Sequence, residues 1–148
     1  MSPELRSKKI ESYCDGHAAL VKALKEFPKE MWRWRDPHGC RSIHELVVHI
    51  TDSEANSYIR CRRFIAEPGE SLMAYDESQW ASALDYHTQD TDDALEMFKW
   101  LRRRSYTLIT SLPEAVLRYK AFMFEQAPRP NDICRQSTHR IARPAPSR

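Results

Sequence analysis

Three long stretches of this chain repeat their apolar residues at spacings of three and four, the period of one helix face. In the first, Ile10, Tyr13, Cys14, His17, Leu20, Val21 and Leu24 share a face, which predicts a helix over 3–26. Pro3 suits its first turn and Pro28 closes it. Gly16 is a point where this helix could bend or split. In the second stretch, Ser42-Ile43-His44-Glu45 spells a capping box and opens a helix over 43–65. Its apolar side runs through Leu46, Val47, Ile50, Ala55, Tyr58, Ile59 and Phe64. In the third, Leu95, Phe98, Leu101, Leu108, Ile109 and Leu112 line one face of 92–112, behind a cap at Asp90 or Thr91. A short helix from Asp76 through Trp80, Leu84 and Tyr86 fits between the second and third.

Only three glycines occur, at 16, 39 and 69. A sandwich or barrel needs many tight turns, so an all-α bundle is the expected class. No apolar run reaches a membrane span, and the N-terminus lacks an apolar leader core. A cytoplasmic protein is expected, with Cys14, Cys40, Cys61 and Cys134, which lack zinc-knuckle spacing, as reduced thiols rather than a disulfide pair or a nucleophile. Trp32 and Trp34, in the connection 28–41, read as caps on one end of the core.

Beyond residue 120 the pattern changes. Residues 120–148 carry six Lys/Arg against two Asp/Glu and four prolines, with no helical period. They read as an irregular tail attached to a bundle over 1–119. An out-of-frame or divergent last segment would explain so abrupt a switch. Scattered arginines without aromatic interleaving give only weak, salt-sensitive attraction to nucleic acid, so none is expected as a partner.

On a helical wheel Glu54 lies ~40° from Ile50, and Arg102 ~40° from Phe98, each inside its apolar face. A lone buried charge is costly. Either the two pair across the bundle or each reaches water at a helix edge. His49 lies ~100° from Ile50 at the border of the stripe, with Asp52 one turn on. Such a histidine can bind a metal or simply hold a hydrogen bond. His17 reads as a core residue and His44 as a surface one. The chain has no nucleophile elbow, HExxH or glycine-rich phosphate loop, so no hydrolase motif is present.

Trp34, the run Ser42-Ile-His-Glu-Leu-Val-Val-His49-Ile-Thr-Asp52-Ser-Glu54 and Arg60 stand in the order of a known pattern. Tyr75-Asp76, Trp80, Phe98-x-x-Leu-Arg102 and Leu112-Pro-Glu114 continue it. Over residues 10–119 the chain resembles the DinB-like (YfiT-like) metal-dependent bundles, the DNA-damage-inducible family and not the polymerase. The resemblance implies an up-down antiparallel four-helix bundle, commonly a homodimer. It implies a divalent metal, often nickel or zinc, held by three histidines. His49 matches the first. The other two form a His-x-x-x-His pair on the last helix, and this sequence contains no such pair. Asp52 is a carboxylate that could assist, with Glu54 and Arg102 in supporting or structural roles. By resemblance the function is that of a metal-dependent transferase or hydrolase, some relatives activating a low-molecular-weight thiol, impaired here by the missing histidines. No catalytic residue is assigned. The alternative is a non-catalytic bundle that binds a partner or a second copy.

Overall fold

In the computed structural model, residues 2–35, 37, 40–67, 74–113 and 116 are described. They form α1 (Pro3–Leu24), a 3-10 turn (Lys29–Met31), α2 (Ile43–Ala66), the short α3 (Glu77–Ala83) and α4 (Thr91–Ser111), with no strand among them. The expected tail, 120–148, lies outside the described residues. No described helix is long and apolar enough to cross a membrane.

Each start follows from local chemistry. The Ser2 side chain accepts from Leu5 N–H at α1. Asp76 accepts from Ser78 and Gln79 at α3, and Asp90 from Asp92 and Asp93 at α4. At α2 both halves of the capping box form: Glu45 N–H donates to Ser42 Oγ at 3.2 Å, and Ser42 N–H donates to Glu45 Oε2 at 2.9 Å. Gly16 does not split α1, which runs unbroken. The short helix ends at Ala83, earlier than expected, because Asp85 adopts a left-handed conformation (φ 44°). That turn leaves Leu84 exposed and buries Tyr86 completely.

Contacts reveal the helix directions. Tyr13 meets Arg102, His17 meets Phe98, and the Leu24 cluster includes Ala94 and Leu95, so α1 runs antiparallel to α4. Tyr13 also meets Glu54, and Leu24 packs with Val47, so α1 opposes α2 as well. Between α2 and α4 the numbers rise together: His44 with Thr91, Thr51 with Ala94, Glu54 with Arg102. These two helices are parallel neighbours. The antiparallel relation therefore holds for α1 against α2 and against α4, while α3 lies in the connection between the parallel pair α2 and α4.

A hydrophobic cluster closes the end where α1 stops. Leu24, Trp32 and Val47 are buried, with Leu20, Ile43, Ala94 and Leu95 packed against them. Trp32 caps this end as expected, its indole N–H donating to the Phe27 carbonyl at 3.2 Å. Trp34 does not: it is 61% exposed. The chain turns after the 3-10 helix, so only the first tryptophan of the pair faces inward. His44 is also corrected, from surface to wholly buried. Its imidazole lies between Thr91 Oγ1 and the Tyr86 carbonyl (2.9 Å), because the α3–α4 connection folds over the start of α2.

Midway along the bundle, a charged tie joins all three long helices. Arg102 Nε donates to Glu54 Oε2 at 2.9 Å, Arg102 Nη1 donates to the Tyr13 carbonyl at 2.8 Å, and the Tyr13 hydroxyl donates to Glu54 Oε1. The guanidinium also stacks on the rings of Tyr13 and Phe98, 4.3 and 4.8 Å from their centroids. Glu54 is 5% exposed. Burial and the Glu54 charge push the Tyr13 hydroxyl well above its ordinary pKa, so it remains a donor. Gly16 makes room for this tie: a Cβ there would lie 2.1 Å from Arg102 Nη1.

Two stability predictions follow from these contacts. Arg102→Met should cost about 3–5 kcal/mol, since it strands Glu54. A cycle with Glu54→Gln should show coupling of about 1 kcal/mol or more in urea unfolding, and additive costs would refute the tie. Gly16→Ala should destabilise by about 1 kcal/mol, the lost charged hydrogen bond outweighing the roughly 1 kcal/mol gained in helix propensity. In the Arg102→Met background the same substitution should become stabilising.

A third concerns acid. Burial raises the Glu45 carboxyl, but hydrogen bonds from Arg35 and Ser42 more than offset it and hold the pKa at about 2. Its folded value thus lies below the ordinary 4.5, so its contribution is complete above that pH. The contribution is lost as pH falls from about 4.5 towards 2. Urea midpoints across that window should fall less steeply in Arg35→Met than in the parent chain.

Candidate functional site around His49

Helix α2 carries His49, Asp52 and Ser53 within about one turn, and the segment from Tyr75 to Tyr86 folds against them. His49 is 1% exposed. Its Nε2 lies 3.5 Å from Glu77 Oε2 on the first residue of α3, and its Nδ1 is buried with no hydrogen-bond partner among the described residues. Asp52 Oδ2 accepts from the Tyr86 hydroxyl at 2.6 Å. The hydroxyls of Ser53 and Tyr75 meet at 2.7 Å, and the Tyr75 ring packs on Trp80 at 4.7 Å between centroids. Arg41 Nη2 donates to the Glu77 carbonyl at 3.4 Å, which holds the start of α3 in place. α3 has few other ties to the bundle, so these polar contacts position Glu77 over His49.

The electrostatics keep the imidazole neutral. Burial lowers the His49 pKa first and the Arg41 charge lowers it further, while Glu77 and Asp52 pull weakly the other way. A neutral ring retains one lone pair for a proton, a metal or a ligand. Burial, with the Asp52 carboxylate next, raises the Tyr86 hydroxyl. Tyr86 is therefore a donor that pins one oxygen of Asp52. On the α4 side of Asp52 lies a hollow of about 170 Å³, whose walls include Val48, Thr51, Asp93 and Met97.

The structure brings His49 and Asp52 to the same side of α2 and adds Glu77 and Tyr86, which the sequence reading left out. Glu54 and Arg102 belong instead to the core tie between the long helices. The signal for Glu77 was present only as the Asp76 cap that starts α3. Nothing in a linear pattern says that this short helix docks on α2 at His49.

A three-histidine centre does not fit these residues. Among the described residues no three His, Cys, Asp or Glu side chains come together in a way that could hold a metal ion. In the whole sequence the only histidine after 87 is His139. One buried imidazole with a facing carboxylate is the donor set at hand, against the three or four protein ligands of a tight zinc site.

Comparison with known proteins places this geometry. The model of the DinB superfamily matches residues 15–133. A Bacillus licheniformis protein provisionally named a metal-dependent hydrolase is 33% identical over 86 residues, which are 58% of this chain and 48% of that one. The Bacillus subtilis protein YfiT, provisionally named in the same way, is 26% identical over 114 residues, covering 77% of this chain and 64% of its own length. The solved structure of YfiT, described as a probable metal-dependent hydrolase with an unusual four-helix bundle topology, superposes with a TM-score of 0.72. That superposition covers 79% of this chain and 67% of the YfiT chain, at 26% identity. The chain thus spans about half to two thirds of the length of the curated relatives it matches. With the family match reaching past the end of α4 and the helical bundle shared with YfiT, this chain belongs to the DinB superfamily.

Proposed function

We propose that the cleft around His49 is the working site of this chain, of the metal-dependent hydrolase or transferase class, and that its turnover is impaired. The observation that carries the reading is His49 itself: a buried, neutral imidazole with one nitrogen unpartnered and the other facing a carboxylate. His44, by contrast, has both nitrogens answered, between Thr91 and the Tyr86 carbonyl. A divalent metal such as nickel or zinc would supply an acid centre able to activate water or a low-molecular-weight thiol. The residues of this chain contribute the His49 lone pair, the Asp52 carboxylate oriented by Tyr86, and the carboxylate of Glu77, whose backbone carbonyl accepts from Arg41. The missing second and third imidazoles account for the impairment.

A second reading is a non-catalytic bundle that dimerises. Ile59 on α2 and Met97 and Trp100 on α4 are each about half exposed, 53%, 49% and 51% respectively. Large exposed side chains of this kind favour association with a second copy.

Metal analysis of the purified full chain tests the first reading. The expected result is metal well below one equivalent after dialysis against chelator, with helix content unchanged. Reloading should be sensitive to His49→Ala. Tightly held stoichiometric metal that persists in His49→Ala would overturn it. Sedimentation of the same samples reads the oligomeric state, and a monomer at all concentrations removes the second reading.

A further inference from the structure

We propose that the segment from Tyr75 to Tyr86 is a lid over His49, and that Tyr86 is the latch that holds it shut. The lid takes its purpose from the reading of the His49 cleft as the working site. Its opening is measured without metal or substrate, so either can fail while the other stands.

His49 lies about 160° round α2 from Thr51, and the Thr51 hydroxyl donates to the Ala94 carbonyl of α4 at 2.9 Å. The imidazole therefore leaves α2 on the side away from the α4 contact, yet His49 is only 1% exposed. Glu77, at the start of α3, stands 3.5 Å from its Nε2. No substrate reaches an imidazole so enclosed. The long helices cannot part without breaking the Glu54, Arg102 and Tyr13 tie. The element that can move is the short one.

α3 is docked in a way that lets it leave. It buries none of its residues, and Leu84 just beyond it is 50% exposed. Its start is held by two polar contacts: the Tyr75 and Ser53 hydroxyls meet at 2.7 Å, and Arg41 donates to the Glu77 carbonyl at 3.4 Å. Its far end is held by Tyr86, the one buried residue between 74 and 90. Tyr86 is gripped twice. Its carbonyl accepts from His44 Nε2 at 2.9 Å, and its hydroxyl donates to Asp52 Oδ2 at 2.6 Å. His44 and Asp52 stand about two turns apart on α2. Just past the latch, Arg33 donates to the His87 carbonyl and fixes the end about which the lid turns. A segment held by a few hydrogen bonds over little apolar area opens locally, well below the cost of global unfolding. Releasing Tyr86 frees the Asp52 oxygen that it pins and uncovers His49 in the same event.

Carbethoxylation of His49 by diethyl pyrocarbonate, followed by peptide mapping in rising sub-denaturing urea, tests this. In the parent chain His49 should react far more slowly than in the unfolded chain, at a rate nearly independent of urea, because a local opening exposes little surface. Tyr86→Phe should raise that rate roughly tenfold or more, since the Asp52 carboxylate loses a charge-assisted hydrogen bond. Ser53→Ala, at the other end, should raise it by a smaller factor. Gly16→Ala acts on the long helices, so it should lower the urea midpoint and leave the rate unchanged. A parent rate that climbs with urea as steeply as global unfolding overturns the lid, and so does a rise in Gly16→Ala equal to that in Tyr86→Phe. Parent His49 that reacts as fast as in the unfolded chain overturns it too. An unchanged rate in Tyr86→Phe removes Tyr86 as the latch. Should Tyr86→Phe fail to fold, Ser53→Ala carries the same test from the Tyr75 end.

Discussion

A carboxylate and a guanidinium buried together are tolerable only when each saturates the other, and the middle of this bundle is arranged around that requirement. Glu54 receives the Arg102 Nε–H on one oxygen and the Tyr13 hydroxyl on the other. Arg102 spends a second donor on the Tyr13 carbonyl and lays its plane across two aromatic rings. Each partner comes from a different long helix, so the charges can be satisfied only if all three are docked in one register. An apolar core tolerates small slides between helices. A charged cluster with directional bonds does not, because a slide of one residue leaves a buried charge unpaired. The nearby glycine belongs to the same arrangement, since any side chain at position 16 would occupy the space of the guanidinium.

This explains why much of the architecture was legible in the residues. The three long helices follow from apolar spacing and from caps whose chemistry is local: Ser42 with Glu45, Asp76, and Asp90 with its two following acids. The face positions of Glu54 and Arg102 raised the pair as one of two outcomes, and the third partner, Tyr13, was hidden as an ordinary apolar-face residue. What a wheel diagram could not supply was the path of the crossover. His44 reads as a surface residue because a wheel does not show the segment, more than forty residues away, that buries it. Trp34 looked like a core residue because of its type, and a turn in the backbone carries it outward. Glu77 went unnoticed for the same reason as His44.

The His49 cleft differs in kind from the Glu54 cluster. There, both carboxylate oxygens of Glu54 are answered within the protein, by Arg102 and by Tyr13. Around His49 the answers are incomplete: one ring nitrogen has no partner, and the other faces a carboxylate across a gap wider than a good hydrogen bond. Such incompleteness costs stability, and it persists where the open valences serve a ligand. The contrast separates a cluster that holds the fold together from one that the fold holds open. The match to the DinB superfamily spans the helix that bears His49, and this sequence contains no His-x-x-x-His pair.

The parallel course of α2 and α4 has a kinetic consequence. In a simple hairpin bundle each helix can dock on its sequence neighbour as soon as both have formed. Here the central contacts join residues 48 and 89 positions apart, Glu54 with Arg102 and Tyr13 with Arg102. Closing loops of that length must precede the reward for closing them. This small helical bundle should therefore cross its folding barrier more slowly than its helix content suggests, because α1 and α2 are joined chiefly through α4, the last of the three in the chain.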